Sequence, residues 1–177
     1  MQVTFDTVRH VGDRSKSGPR SGCPVSMSLE IFGDRWSLLI VRDLMVRGFT
    51  AFRQFQEGGE GIATNILSDR LEKLETVGII TSEVDETDRR SVRYRLTEKG
   101  IDLAPVVLEV LIWGARHENT GAPGDVIAKM AKNREAILSE VRRRWKARDT
   151  TPLLPWLGGS STEFERIHQP GHKQKHK

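Results

Sequence analysis

The sequence contains one cysteine, Cys23, directly before Pro24. Because proline is favoured in the first turn of a helix, we expect the thiol at a helix N-terminus. The partial positive charge there favours the thiolate, and Arg20 is close in sequence. Cys23 is therefore a candidate reactive thiol, and an unreactive, half-buried thiol is an equal alternative. A single cysteine allows no intrachain disulfide and no cysteine-based zinc site.

No arrangement typical of an enzyme accompanies this thiol. The sequence shows no Ser/His/Asp or Cys/His pattern, and the glycines at 58–61 lack the Lys-Ser/Thr of a phosphate-binding loop. The five histidines do not pair on one predicted helix face. They are His10, His117, His168, His172 and His176. We expect no catalysis, no metal and no cofactor.

Hydrogen-bonding side chains cluster between residues 64 and 73. The set is Thr64, Asn65, Ser68 and Asp69, with Arg70 and Lys73 at its flanks. At about 100° per residue the polar groups lie on one side of a helix. An asparagine amide can bond an adenine edge, and an aspartate can accept from cytosine or orient a neighbouring arginine. A polar helix face that is merely solvated is the alternative interpretation.

The surrounding pattern predicts the elements that position this set. Thr50 is expected to cap a short helix with Phe52 and Phe55 facing inward, and a glycine-rich turn follows. The next helix ends at Gly78. Its apolar side comprises Ile66, Leu67, Leu71, Leu74 and Val77. Two helices joined by a tight turn make a helix-turn-helix candidate.

A β-hairpin is predicted directly after this helix, because residues 91–96 alternate between apolar and polar. Arg89 and Arg90 fall at its tip, where guanidinium groups could clamp phosphates or enter a minor groove. Arg93 and Arg95 are weaker candidates. A hairpin after a helix-turn-helix is the order of a winged helix, in which the second helix presents its N-terminal residues to the major groove. This order favours DNA contact over the solvated face.

The flanking segments complete the predicted organisation. Thr97 is expected to cap a helix whose residues 103–113 are apolar on more than one face, which favours burial against a second subunit. The fold class is α+β, mainly helical: a winged helix-turn-helix with additional dimerisation helices. We expect a flexible arm at 1–22, the DNA-binding domain at 23–120, one amphipathic helix at 121–147 and a disordered tail at 148–177, where PLLPWL alone could pack.

The net charge of +4 gives little support to the central domain. Residues 1–120 carry 16 basic and 18 acidic side chains, and residues 121–177 carry 12 and 6. The basic excess therefore lies in the C-terminal part, which could serve as an additional DNA-holding arm. No apolar run approaches the ~20 residues of a membrane span, and the first twenty residues do not form a signal peptide. We expect a cytoplasmic protein without membrane contact.

The order of motifs resembles the HxlR-type winged helix regulators, relatives of the MarR group. The motifs are Cys23-Pro24, GDRWSLLI, FRQF, GIATNILSDRLEKLETVGII, YRLTEKG and Trp113-Gly114. The resemblance implies a homodimer in a bacterial or archaeal cytoplasm that binds double-stranded DNA and blocks or assists transcription of nearby genes. It also implies that Cys23 is a candidate for redox or electrophile sensing, because some members use a cysteine in this position as the sensor.

Two residues depart from the resembled pattern. Ala51 and Asn65 stand where basic residues are common, which reduces charge near the phosphates. A small-molecule effector pocket could lie between the first and last core helices, although Trp36 and Trp113 are expected to be core residues rather than its lining. The alternative function is a winged helix that acts only as a protein-interaction module.

Overall fold

The computed structural model describes residues 21–85 and 91–154. This part of the chain is mainly helical with one two-stranded antiparallel sheet, which confirms the predicted fold class. The elements are α1 (Pro24–Phe32), α2 (Ser37–Arg42) followed by a π-helical turn (Asp43–Arg47), α3 (Phe52–Glu57), α4 (Thr64–Thr76), β1 (Ile80–Val84), β2 (Val92–Leu96), α5 (Glu98–Ile101), α6 (Ala104–His117), α7 (Gly124–Lys132) and α8 (Arg134–Ala147).

The core is formed where α4 packs between α2 and the sheet. Leu67, Leu71 and Leu74 are buried on one side of α4, as their spacing predicts, and Val41 of α2 and Ile80 of β1 are buried with them. This burial fixes the rotation of α4 about its axis. The opposite, polar side of the helix therefore faces solvent.

The start of α3 differs from the predicted threonine cap. Ala51 is the N-cap residue, and the backbone N–H groups of Thr50 and Ala51 both donate to Oε1 of Gln54 at 2.8 Å. The longer glutamine side chain thus satisfies two donors from inside the helix. The predicted inward position of Phe55 is confirmed, since its buried ring packs edge-on against Phe49 with 5.7 Å between centroids.

The predicted hairpin is present, with Ile80 opposite Leu96 and Val84 opposite Val92. The segment before α3 is linked to the sheet, because the Tyr94 N–H donates to the Thr50 carbonyl at 2.7 Å. The predicted Thr97 cap is confirmed, since the Gly100 N–H donates to Thr97 Oγ1 at 3.1 Å. The single helix predicted to follow it is divided into α5 and α6, because Pro105 has no N–H to continue a helix and lies in the first turn of α6. The hairpin is thereby anchored to elements on both sides.

Residues 121–147 form two helices rather than the predicted single one. The chain leaves α7 at Asn133, whose backbone lies outside the helical region (φ −120°, ψ 41°) and whose side-chain amide donates to the Lys129 carbonyl at 2.9 Å. An asparagine that bonds local carbonyls in this way competes with helix continuation. The amphipathic pattern persists across the break, so periodicity alone did not reveal it.

The first residues of the expected disordered tail pack against the core. Leu154 is buried, and the N–H groups of Leu153 and Leu154 donate to the Val46 carbonyl at 2.8 and 3.2 Å. Gly48 permits this approach: its φ is +71°, and a Cβ there would collide with the Thr150 carbonyl oxygen. This contact includes the first half of PLLPWL, the part of the tail expected to pack. The arm at 1–20 and residues 155–177 lie outside the described residues.

Candidate nucleic-acid interface

The N-terminal half of α4 presents a polar, exposed surface. Thr64, Asn65, Ser68 and Asp69 are all exposed, as the pattern predicts, while Leu67 between them is fully buried. Gln56 of α3 donates from Nε2 to Thr64 Oγ1 at 2.7 Å, so the hydroxyl that begins α4 is held by the preceding helix. The exposed side chains of Asn65 and Ser68 are accessible to an outside partner, whereas Asp69 is paired with Arg70.

Arg70 and Lys73 turn towards the protein. Arg70 Nε lies 3.4 Å and Lys73 Nζ 3.6 Å from the carboxylate of Asp34, which precedes α2. Arg70 also pairs with Asp69, with 2.8 Å between Nη1 and Oδ2. Both basic side chains are partly buried. They position α4 on the rest of the domain, a role that the sequence reasoning did not assign.

Asp34 is well suited to receive them. Its Oδ1 accepts from the N–H groups of Trp36 and Ser37, each at 2.9 Å, and its Oδ2 accepts from the Ser37 hydroxyl at 2.6 Å. Burial by itself would raise the pKa of Asp34, but the Ser37 bonds, the Trp36 N–H and the Arg70 charge together lower it. Asp34 therefore stays ionised and links the start of α2 to α4.

A second, buried charge cluster supports the turn between α3 and α4. Asp43 is buried beside Arg42, whose Nη2 lies 2.7 Å from its Oδ1, and Arg42 also pairs with Glu60 at 2.9 Å. Arg47 donates from Nη1 to the Gly58 carbonyl at 3.0 Å. Burial raises the pKa of Asp43 despite the two arginines. The sequence reasoning missed this cluster, although Asp43 and Arg47 have the i,i+4 spacing of a helical ion pair, which is the signal that could have found it.

The basic residues of the hairpin divide into two groups. Arg89 and Arg90, predicted at the tip, lie outside the described residues. Arg93 pairs with the buried Asp85, and Arg95 donates from Nη2 to the Trp145 carbonyl at 3.4 Å. The described hairpin arginines are thus partly engaged within the protein.

The basic cluster near the end of α8 is largely neutralised. Arg142 pairs with Asp102, while Arg143 and Arg144 pair with Glu140 at 2.7 and 2.8 Å. Hydrogen bonds from Arg143 and then Arg144 lower the pKa of Glu140 to about 2. These three arginines therefore contribute less free positive charge than the sequence suggests for an additional DNA-holding arm.

Cys23 lies at the start of α1 with its side chain exposed, as expected for a thiol before Pro24. Hydrogen bonds from the backbone of Ser26, and then of Val25, lower the pKa of the thiol. The alternative of a half-buried thiol is wrong, because the Cys23 side chain is exposed. Reactivity remains a prediction.

Apolar side chains are exposed on two helices. The predicted core position of Trp113 is wrong: it is 59% exposed, in line with Val106 and Val110 along α6, whereas Trp36 packs partly buried against the core. On α1, Val25 is 67% and Leu29 55% exposed. Apolar faces of this kind mark contact surfaces.

Features of metal and membrane proteins are missing from residues 21–85 and 91–154. Within them, no three His, Cys, Asp or Glu side chains are grouped to hold a metal ion. Over the same residues, no helix has the length and apolar content needed to cross a membrane.

A helix-turn-helix with an attached hairpin and an exposed polar second helix defines the winged helix class of transcription regulators. The HxlR-like helix-turn-helix profile matches residues 31–121, and the chain belongs to this family, as the motif order predicted. It is a transcription regulator of the helix-turn-helix type and not an enzyme.

Named relatives agree with this assignment. The regulator YdeP of Bacillus subtilis is 32% identical over 111 residues, which cover 63% of this chain and 86% of YdeP. The regulator YodB of the same organism is 32% identical over 62% of this chain and 96% of YodB. The redox regulator HypR in its oxidised form superimposes with a TM-score of 0.50 at 29% identity, over 55% of this chain and all of HypR.

Proposed function

We propose that the protein binds duplex DNA sequence-specifically as a homodimer, with α4 in the major groove. The observation that carries the proposal is the exposed polar set Thr64, Asn65, Ser68 and Asp69 on a helix whose other side is buried. In winged helix proteins the N-terminal residues of this helix contact base edges. Asn65 and Ser68 are the strongest candidates for base contacts, because both side chains point into solvent from this helix. Arg89 and Arg90 are proposed to contact the DNA phosphate backbone next to these base contacts.

Fluorescence anisotropy with genomic fragments selected by the purified protein tests the base contacts. Asn65→Ala should weaken binding to the selected fragment by ~1–3 kcal/mol and reduce discrimination against other duplexes. Thr76→Ala, at the exposed far end of the same helix, is the control and should bind like the wild type. If the wild type retains no fragment at low salt, the protein-interaction module is the better function.

The exposed faces of α1 and α6 favour the homodimer. Val110 and Trp113 are too exposed for a lone surface helix, and a second copy that covers them would remove this apolar area from water. Val110→Glu should shift the mass measured by light scattering from dimer to monomer, whereas Lys132→Glu, on the exposed part of α7, should not. A monomeric wild type would contradict the proposal.

An exposed thiol of lowered pKa favours redox or electrophile sensing at Cys23, in keeping with the likeness to the redox regulator HypR. Treatment with quinone, aldehyde or hypochlorite should modify Cys23 and change DNA affinity in the wild type but not in Cys23→Ser. Equal responses from both proteins would exclude the sensing function. We place the protein in the cytoplasm, where reduced thiols are maintained.

A further inference from the structure

A cavity of about 210 Å³ lies between the hairpin and the C-terminal segment. One wall is β2, with Tyr94 and Arg95. The opposite wall is the end of α8 and the residues after it, including Trp145 and Arg148, and Phe49 contributes to the apolar floor. Trp145 is fixed in place, because its Nε1–H donates to the Leu96 carbonyl at 2.8 Å. The cavity is therefore a formed site with the Trp145 indole fixed in one wall.

The positive charge at this cavity is incompletely balanced. Four arginines line it, and two of them are paired: Arg93 with Asp85 and Arg144 with Glu140. Arg95 and Arg148 have no carboxylate within ion-pair distance among residues 21–85 and 91–154, although Glu83 and Asp149 also line the cavity. Burial, followed by the charge of Arg148, lowers the pKa of Arg95, and the charge of Glu83 offsets this lowering only in part. An anion beside both guanidinium groups would relieve this repulsion.

The backbone at Arg148 is a second, independent observation. Its φ of +55° is in the left-handed region, and Arg148 is the one non-glycine residue in that region within the described part of the chain. Helix ends of this geometry normally use glycine or asparagine, because a Cβ is disfavoured there. A side chain kept at such cost is a reason to look for a function of that side chain.

We propose that this cavity binds a small aromatic carboxylate of one or two rings, with the carboxylate at Arg95 and Arg148 and the ring against the Trp145 indole. The volume is below the ~300 Å³ of sites for drug-sized molecules, which limits the ligand to this size. Guanidinium groups match the planar carboxylate, and the Trp145 indole matches the ring.

The site depends on residues beyond the segment that the family profile matches. Trp145 and Arg148 follow residue 121, where the match ends, so the ligand would be specific to chains with this C-terminal extension. A ligand here would join β2 of the hairpin to the extension. An effect of this ligand on DNA affinity rests on the proposed function, whereas binding of the ligand to the cavity does not.

Isothermal titration calorimetry of the full chain without DNA tests the site with benzoate, phenylacetate and 1-naphthoate. At least one should bind saturably, and the corresponding neutral carboxamide should bind about tenfold more weakly or worse. Arg148→Gly should lose at least about tenfold in affinity and yet raise the melting temperature, because glycine suits this backbone. Arg143→Gln, on the exposed side of α8, should bind like the wild type.

Three results would overturn the proposal: no saturable binding of any of the three acids, equal binding of acid and carboxamide, or unchanged binding by both Arg148→Gly and Arg95→Gln. A separate experiment measures DNA affinity by anisotropy with a selected fragment, in the presence and absence of the bound acid. Ligand binding without any DNA binding would contradict the regulatory function and leave the site established.

Discussion

Arg70 of α4 lies against Asp34 of the loop before α2, with 3.4 Å between Nε and Oδ1. Lys73, one turn further along α4, lies 3.6 Å from the other carboxylate oxygen. One aspartate thus caps the start of α2 and holds the polar helix in its orientation. Arg70 and Lys73, which the sequence suggested as DNA contacts, instead position the residues of α4 that are proposed to contact DNA.

Asp34→Ala should lower the free energy of unfolding by about 1–2 kcal/mol, because it removes the cap of α2. The pH dependence is a sharper test. The folded pKa of Asp34 is below its ordinary value of 3.8, so its charge contributes fully above that pH and is lost as the pH falls through the lower folded pKa. Urea unfolding from pH 6 to pH 2 should show the wild type losing stability relative to Asp34→Asn, which keeps an acceptor for the backbone. If the free energies of unfolding of the two proteins changed in parallel with pH, this role of Asp34 would be contradicted.

Arg47→Ala should destabilise the fold by about 3–5 kcal/mol, because it leaves the buried Asp43 with one partner fewer and removes the donor to the Gly58 carbonyl. Burial already raises the pKa of Asp43, and loss of Arg47 raises it further. The loss of stability in Arg47→Ala relative to the wild type is therefore largest at neutral pH, and it decreases as Asp43 takes up a proton in acid. Arg53→Ala, whose side chain is 82% exposed, should leave the unfolding curve unchanged. If Arg47→Ala were destabilised equally at all pH values, the buried charge of Asp43 would not be the cause.

Local patterns in the sequence were sufficient for the central fold. The apolar spacing of Leu67, Leu71 and Leu74 sets the rotation of α4, and the alternation of residues 91–96 predicts β2, because both signals act within one element. The helix break at Asn133 interrupts no periodicity. The contacts of Asp34 with Arg70 and Lys73, and the cavity beside Arg148, depend on elements far apart in sequence, and a linear pattern carries no record of such contacts. The pair of Asp43 with Arg47 is local, at i,i+4, and only the burial of Asp43 is absent from the linear pattern.

Arg89→Ala combined with Arg90→Ala should reduce the dependence of DNA affinity on salt. Removal of one phosphate contact lowers the slope of log K against log salt by ~0.9, so removal of two lowers it by about 1.8. Discrimination between selected and other duplexes should change little, because phosphate contacts carry no base information. Anisotropy titrations over a series of salt concentrations measure both, with Lys132→Ala as the control on a distant helix. An unchanged slope and affinity would contradict the proposed contact of the hairpin with DNA.

Gly48→Ala should be among the most damaging small substitutions in the chain. The φ of +71° disfavours any Cβ, and the new methyl group would collide with the Thr150 carbonyl oxygen. We expect a loss of at least about 2 kcal/mol, since both the left-handed backbone and the displaced C-terminal segment cost free energy. Gly124→Ala is the matched control: nothing lies within 4 Å of a Cβ there, and alanine at the first position of α7 should be neutral or stabilising. Because Arg148, Asp149 and Thr150 line the cavity, Gly48→Ala should also weaken 1-naphthoate binding in calorimetry. If Gly48→Ala unfolds at the same urea concentration as the wild type, the packing of residues 148–154 against the Val46–Gly48 segment is wrong.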